Sequence, residues 1–193
     1  LFRSRDSGVI VAGSLTPQNT QEHYETVVQA GADLFVIRGA SVSAEHISTS
    51  HEPLNLKKFI YELDVPVMVG GVAGYTQAKH LMRTGAAGVL VGFGGGSAMT
   101  TRKGLGISAP MATAIADVAA ARSDYLDESG GRYVHVIADG GLSRSGDLVK
   151  ALALGADAVM IGAPLARASE APGQGWYWGN EAHSRDFPRG VRT

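Results

Sequence analysis

Apolar residues in this chain come in short unbroken runs rather than in alternation with polar ones. Six such runs, at residues 9–15, 33–38, 66–71, 88–92, 134–139 and 158–162, predict strands. Stretches such as "LFVI", "GVLVG" and "AVMIG" offer no polar face to water, the pattern of strands covered on both sides in a parallel sheet. A segment with helical spacing follows each of the first five runs, and a short one follows the sixth. In "PMATAIADVAAAR" (110–122) proline stands at a first-turn position, where its missing N–H costs nothing. "SGDLVKALALG" (145–155) reads as a helix held between Ser145 as N-cap and Gly155 as C-cap. The repeated strand-then-helix order predicts an α/β fold with a parallel sheet.

Three segments echo one another: "AGADLFVIRG", "TGAAGVLVGFG" and "LGADAVMIGAP". Each is a helix-ending glycine, a small-residue turn and a β-branched run that closes on glycine, so the chain is built of like units. Glycines gather just after the strands, at 69–71, 91–96, 138–141 and 161–164. That is the face on which (β/α)₈ barrels carry their binding loops. The dinucleotide fingerprint G-x-G-x-x-G is absent, because "GFGGGS" fails at its last position, and no P-loop motif occurs. A TIM (β/α)₈ barrel is therefore expected over a doubly wound sheet. The six units are read as strands 3 to 8 of that barrel, with the N-terminal two units lying upstream of a chain that begins at Leu1. A complete six-stranded open sheet is the alternative. Residues 1–193 form a single barrel domain of catalytic type, ending in an aromatic-rich tail at 169–193.

Composition narrows the function classes. Of 193 residues, 45% are hydrophobic and 18% charged, enough apolar material for a core. A net charge of −1 without a dense Lys/Arg run argues against nucleic-acid or anionic-membrane partners. There is no cysteine, which removes disulfides, thiolate metal sites and a Cys nucleophile together. The six histidines are scattered without HExxH or i, i+4 spacing, so no metal held by side chains is expected. No apolar run approaches the roughly 18 residues of a membrane span, and no secretory signal is read, so a cytoplasmic protein is expected.

Two loops carry candidate chemistry. The last two strands end in "ADGG" and "IGAP", each followed by a helix start whose free N–H groups favour an anion. Asp139 would repel a phosphate there but could accept hydrogen bonds from ribose hydroxyls. In "GGGSAMTTR" (94–102), Gly94, Gly95 and Gly96 can present successive N–H groups, with hydroxyls on Ser97, Thr100 and Thr101 and a charge on Arg102. Asp33 and Asp157 precede strands at the opposite end and are read as turn-stabilising residues. In the tail, Trp176 and Trp178 either cover a flat ring, pin the tail to the barrel or fill a subunit interface. Glu170 and Glu181 are candidate acceptors for a purine N–H.

At "GGGSAMTTRKGLGISAPMATAIADVAAAR", "GGRYVHVIADGGLSRSGDLVKALALGADAVMIGAPLARASEAPGQG" and "SAEHISTSHEPLNLKKFIYELDVPVMVGG" the chain resembles the IMP dehydrogenase/GMP reductase family. The likeness runs over nearly its whole length and is strongest to the short bacterial branch without a CBS insert. The resemblance implies a (β/α)₈ barrel, commonly a homotetramer, that takes a purine nucleoside 5′-monophosphate (IMP, GMP or XMP) and NAD(P). It implies the NAD-dependent oxidation of IMP to XMP in guanine nucleotide synthesis, with potassium held by loop carbonyls at Gly94, Gly96 and Met99. By the same likeness Ser97, Gly140, Gly141, Gly162 and Ala163 match phosphate-binding positions and Asp139 the ribose-binding Asp. Thr101 matches a Thr used in the chemistry, Gly179 roughly a tail glycine near the base, and Arg38, Gly70 and Gly71 the cofactor side.

The departures matter as much. Met99 stands where the family carries the Cys that attacks the purine C2, and a thioether has no proton to lose and forms no such adduct. Gly95 replaces Pro, Ala98 replaces Ile, and Ala163 replaces a Ser that donates to phosphate. Arg38 replaces an Asp that holds the nicotinamide ribose, and the tail lacks an Arg-Tyr pair that activates water. The expectation is a purine nucleotide-binding or regulatory member of an oxidoreductase family. Two alternatives stand beside it: an FMN-dependent barrel oxidoreductase, whose phosphate turn the last two strands also resemble, and a non-catalytic subunit of an active paralogue.

Overall fold

The structure is a computed structural model, and it describes residues 6–44, 49, 52–178 and 191–192. Strands β1 (Ala12–Leu15), β2 (Leu34–Arg38), β3 (Val67–Val72), β4 (Gly88–Val91), β5 (His135–Asp139) and β6 (Ala158–Met160) alternate with helices. The helices are α1 (Pro17–Gln29), α2 (Leu56–Glu62), α3 (Tyr75–Arg83), α4 (Thr101–Leu105), α5 (Met111–Glu128), α6 (Ser145–Ala153) and α7 (Ala163–Ala166). The six strands pair in chain order, every pair parallel. A doubly wound sheet reverses its strand order at a switch point. This one never does, and it forms a parallel half-barrel.

The central strands β2 to β5 have two largely covered faces, as unbroken hydrophobicity requires. One set of side chains, including Phe35, Ile37, Val67, Val69, Val89, Val91 and Val136, packs with Leu81, Met82, Ile115 and Val118 of the helices. The alternate residues Val36, Leu90 and Ile137, with Met68, make a second and smaller cluster. Val36 lies opposite Met68, and Leu90 opposite Ile137, in the strand register. They form a layer on the face away from the helices, where a barrel keeps its interior.

The edges of the sheet differ from its centre. β4 is buried throughout, whereas β6 reads exposed, intermediate, exposed. The strand predicted for 9–15 begins only at Ala12, with Val9 and Ile10 outside the ladder and exposed. The one predicted for 158–162 ends at Met160, where the chain turns toward the binding face. Two cap assignments are also corrected. Pro110 is the N-cap of α5 rather than a first-turn residue, and Arg144 takes the cap position expected of Ser145, with its own backbone extended. Gly155 (φ +107°) falls just beyond the C-cap Leu154.

Far from the glycine loops, the two aspartates behave as turn-stabilising residues. Asp33 accepts the Val11 N–H at 2.9 Å. Asp157 accepts from the Tyr133 hydroxyl (2.5 Å), the Val136 N–H (2.7 Å) and Arg122 Nη1 (2.9 Å). Burial pushes the Asp157 carboxyl up, but these donors together hold it below its ordinary range. Helices α3 and α5 are tied on the surface by Glu128, which meets Arg83 Nε at 2.7 Å and Lys79 Nζ at 3.1 Å. Among the described residues no helix is long and apolar enough to cross a membrane.

Two outcomes follow from these contacts. Asp157→Ala orphans three donors and is expected to cost about 1–3 kcal/mol in chemical denaturation. Hydrogen bonds from Arg83 and then Lys79 hold the Glu128 carboxyl down at about 2. Its stabilisation is therefore complete above the ordinary carboxylate range, and it is lost as pH falls from about 4.5 toward about 2. Acid titration of Glu128→Gln, followed by circular dichroism, should show a shallower loss of stability across that window.

Candidate functional site

The site is built where β4 and β5 end. A β-carbon on Gly92 would lie 2.0 Å from the carbonyl oxygen of Asp139, so the two strand ends approach more closely than any side chain allows. One turn further on, Gly141 has φ +72°, and a β-carbon there would lie 2.9 Å from the Gly95 oxygen. Glycine is needed for both the left-handed backbone and the contact. The loops at 92–100 and 140–144 thus lie backbone against backbone, and they form much of the wall of a cavity of about 660 Å³.

The cavity offers main-chain donors. The N–H groups of Gly96, Ser97, Gly141, Gly162 and Ala163 donate no backbone hydrogen bond among the described residues, and all five residues line it. Ala163 is buried, Gly96 and Gly162 are half-buried, and Ser97 and Gly141 are exposed; a set of free N–H groups around one opening is suited to an anion. Met99 donates its N–H to the Gly96 oxygen at 3.0 Å, which closes a tight turn. Its side chain lies back over Gly96, whose β-carbon would sit 2.9 Å from Met99 Cγ.

Opposite these donors stands an ion pair. Arg38, at the end of β2, donates from Nε to Asp139 Oδ2 at 2.9 Å and from Nη2 to Oδ1 at 3.2 Å. The side chain of Asp139 is 12% exposed and that of Arg38 31%. They are the one acid and the one base among the described lining residues, which include no His, Cys, Lys or Glu. Side-chain charge in the cavity therefore cancels, leaving hydroxyls, main-chain dipoles and an apolar floor. The arrangement can hold and orient a ligand. The described lining offers no thiol, imidazole or amine to attack one.

Of the residues singled out from sequence, Arg38, Gly71, Gly94, Gly96, Ser97, Met99, Asp139, Gly140, Gly141, Gly162 and Ala163 line this one cavity. Thr101 does not, since it opens α4 just beyond the loop. Gly70 does not either; its β-carbon would strike Leu90 at 2.4 Å, so it serves close packing of β3 on β4. Glu170 is exposed and accepts from the Ser169 hydroxyl at 2.9 Å, away from the cavity. Gly179 and Glu181 lie outside the described residues.

Sequence reasoning passed over Tyr177. In the short strand β7 (Trp176–Tyr177), paired with β8 (Val191–Arg192), successive side chains point to opposite sides. Trp176 does not line the cavity; Tyr177 and Trp178 do. A β-carbon on Gly162 would lie 2.8 Å from the Tyr177 hydroxyl, so that hydroxyl stands over the last glycine turn. The rarity of tryptophan drew attention to the neighbours of Tyr177, of which Trp178 lines the cavity and Trp176 does not. Thr16 and Gln18, at the start of α1, also line the cavity without any motif to mark them.

Residues 3–186 match the model of the IMP dehydrogenase / GMP reductase domain. The chain belongs to the IMP dehydrogenase/GMP reductase family. A Mycolicibacterium smegmatis protein named as an uncharacterized oxidoreductase is 59% identical over 190 residues, 98% of this chain and 51% of the relative. Inosine-5′-monophosphate dehydrogenase of Thermoplasma acidophilum is 41% identical over 172 residues, 89% of this chain and 33% of that enzyme. The crystal structure of an IMP dehydrogenase/GMP reductase-like protein from Corynebacterium glutamicum superposes with a TM-score of 0.86 at 59% identity. That match covers 98% of this chain and 49% of the other. The chain thus spans about half the length of the Mycolicibacterium smegmatis and Corynebacterium glutamicum proteins.

Since Gly141 combines a left-handed φ with backbone contact, Gly141→Ala is expected to lower stability by about 1–3 kcal/mol. Thermal unfolding beside the unaltered chain measures it.

Proposed function

We propose that this chain provides the nucleotide-binding portion of an IMP dehydrogenase-related oxidoreductase of guanine nucleotide metabolism, its strands corresponding to the third to eighth of a (β/α)₈ barrel. The bound species is a purine nucleoside 5′-monophosphate: IMP, GMP or XMP. One observation carries this reading: five unpaired main-chain N–H groups, on Gly96, Ser97, Gly141, Gly162 and Ala163, line a single cavity that also contains Asp139. Phosphate meets the glycine turns, the sugar meets Asp139, and the ring lies toward Met99 under Tyr177 and Trp178. With Ala163 in place of a hydroxyl donor, the grip is weaker by about 1 kcal/mol, the worth of one neutral hydrogen bond.

Binding is separated here from turnover. The family's reaction passes through a covalent bond from Cys, and Met99 occupies that position. The described lining residues supply no other strong nucleophile, so the chain holds the nucleotide without oxidising it and acts as a binding or regulatory member. The flavin-oxidase reading needs a His base, which the described lining does not contain.

The family's NAD(P) fits these residues poorly. Around Arg38 and Gly71 the described lining presents no carboxylate for a second ribose, because its one acid, Asp139, is the group assigned to the sugar of the nucleotide. No step is routed through it. Potassium would be held by the carbonyls of Gly94, Gly96 and Met99, of which that of Gly96 also accepts the Met99 N–H and keeps a second lone pair. A cytoplasmic homotetramer is the assembly expected from the family.

Calorimetric titration of the full chain with IMP and with GMP, no dinucleotide present, tests the reading. Micromolar binding of either is expected, unchanged by Met99→Cys and weakened about tenfold or more by Gly162→Val, which fills the last phosphate turn. No heat with either nucleotide overturns it.

A further inference from the structure

We propose that Arg38 determines specificity in the sugar half of this cavity, making it tolerant of a missing 2′-hydroxyl. This rests on reading Asp139 as the group that meets the sugar. A ribose cis-diol is best held when its two hydroxyls donate to the two oxygens of one carboxylate. That edge of Asp139 is taken. Arg38 lies on it side-on, with Nε to Oδ2 at 2.9 Å, Nη2 to Oδ1 at 3.2 Å and Nη2 to Oδ2 at 2.9 Å. Bidentate guanidinium–carboxylate pairs are the stronger, geometrically fixed kind of charge-assisted contact.

The fold makes the pairing possible. Arg38 ends β2 and Asp139 ends β5, with β3 and β4 between them. At the cavity mouth those two intervening strands contribute Gly71 and Gly92, so no side chain from them blocks the guanidinium. Burial adds to the effect, for with Asp139 only 12% exposed little of the carboxylate is left for a second bidentate partner. No other acid among the described lining residues could substitute.

A ribonucleotide therefore gains its paired hydroxyl contacts only by displacing Arg38, and loss of the ion pair offsets that gain. A 2′-deoxynucleotide has no cis-diol and forfeits nothing. The cavity consequently binds ribo- and deoxyribonucleotides with similar affinity, the phosphate and base contacts being common to both.

The test is calorimetric titration of the full chain with GMP and with 2′-deoxy-GMP, for the unaltered protein, Arg38→Met and Arg38→Lys. The lysine variant keeps the charge but meets the carboxylate at one point, and it serves if Arg38→Met leaves Asp139 too poorly compensated to fold. The unaltered chain should favour GMP by no more than about threefold, and the variants should raise that ratio to about tenfold or more by tightening GMP alone. A merely structural Arg38 would move both affinities together. A tenfold or greater preference for GMP in the unaltered chain, or a ratio that the variants leave unchanged, overturns the inference while nucleotide binding stands. Absence of binding by all three proteins overturns the proposed function and the inference with it.

Discussion

The carbonyl oxygen of Asp139 occupies the space into which a β-carbon on residue 92 would project, 2.0 Å away. The ends of β4 and β5 can meet in this way only because residue 92 has no side chain. Once they meet, the loop after β4 lies on the loop after β5, and Gly95 rests against Gly140 and Gly141. The same contact brings Gly140 against the N–H of Gly96, on the cavity wall that Ser97 and Asp139 also line. A binding cavity here is the consequence of packing main chain on main chain, with few side chains involved.

Much of this is written in local sequence. Unbroken β-branched runs mark strands whose two faces are covered, and the two clusters containing Val89 and Leu90 are those faces. Glycines after each run mark the binding end. What local sequence does not carry is distance in space. The Arg38–Asp139 pair joins residues 101 apart in the chain, across two intervening strands. Each was singled out in its own segment, but nothing in either segment pairs them, and only the strand order brings them together. Tyr177 was hidden by composition, because its rarer tryptophan neighbours are the conspicuous residues. The edges of the sheet were overread for a third reason: Val9 and Ile10 have strand-like chemistry but no neighbouring strand to pair with.

Met99 and Arg38 are departures of one kind. Relative to the pattern expected from the family, Met99 stands where a thiol was expected and Arg38 where an acid was, and Arg38 occupies the carboxylate of Asp139. Met99 lies over Gly96, but neither side chain takes up one of the main-chain donors among the described residues. A cavity whose donors are backbone N–H groups can lose reactive side chains without losing its shape, because the placement of the donors depends on glycine sterics and on strand register. The family's fold thus persists at 59% identity to the Mycolicibacterium smegmatis relative, while the described lining contains no thiol.

The central claim is that the main-chain cradle still receives a nucleotide phosphate. Amide resonances of the isotopically labelled chain, followed while GMP is added, address it residue by residue. The account predicts that Gly96, Ser97, Gly141, Gly162 and Ala163 shift together and saturate at one concentration, with Asp33 and Asp157 at the opposite end unmoved. Saturable shifts confined to other residues, or no shift in these five, would contradict it.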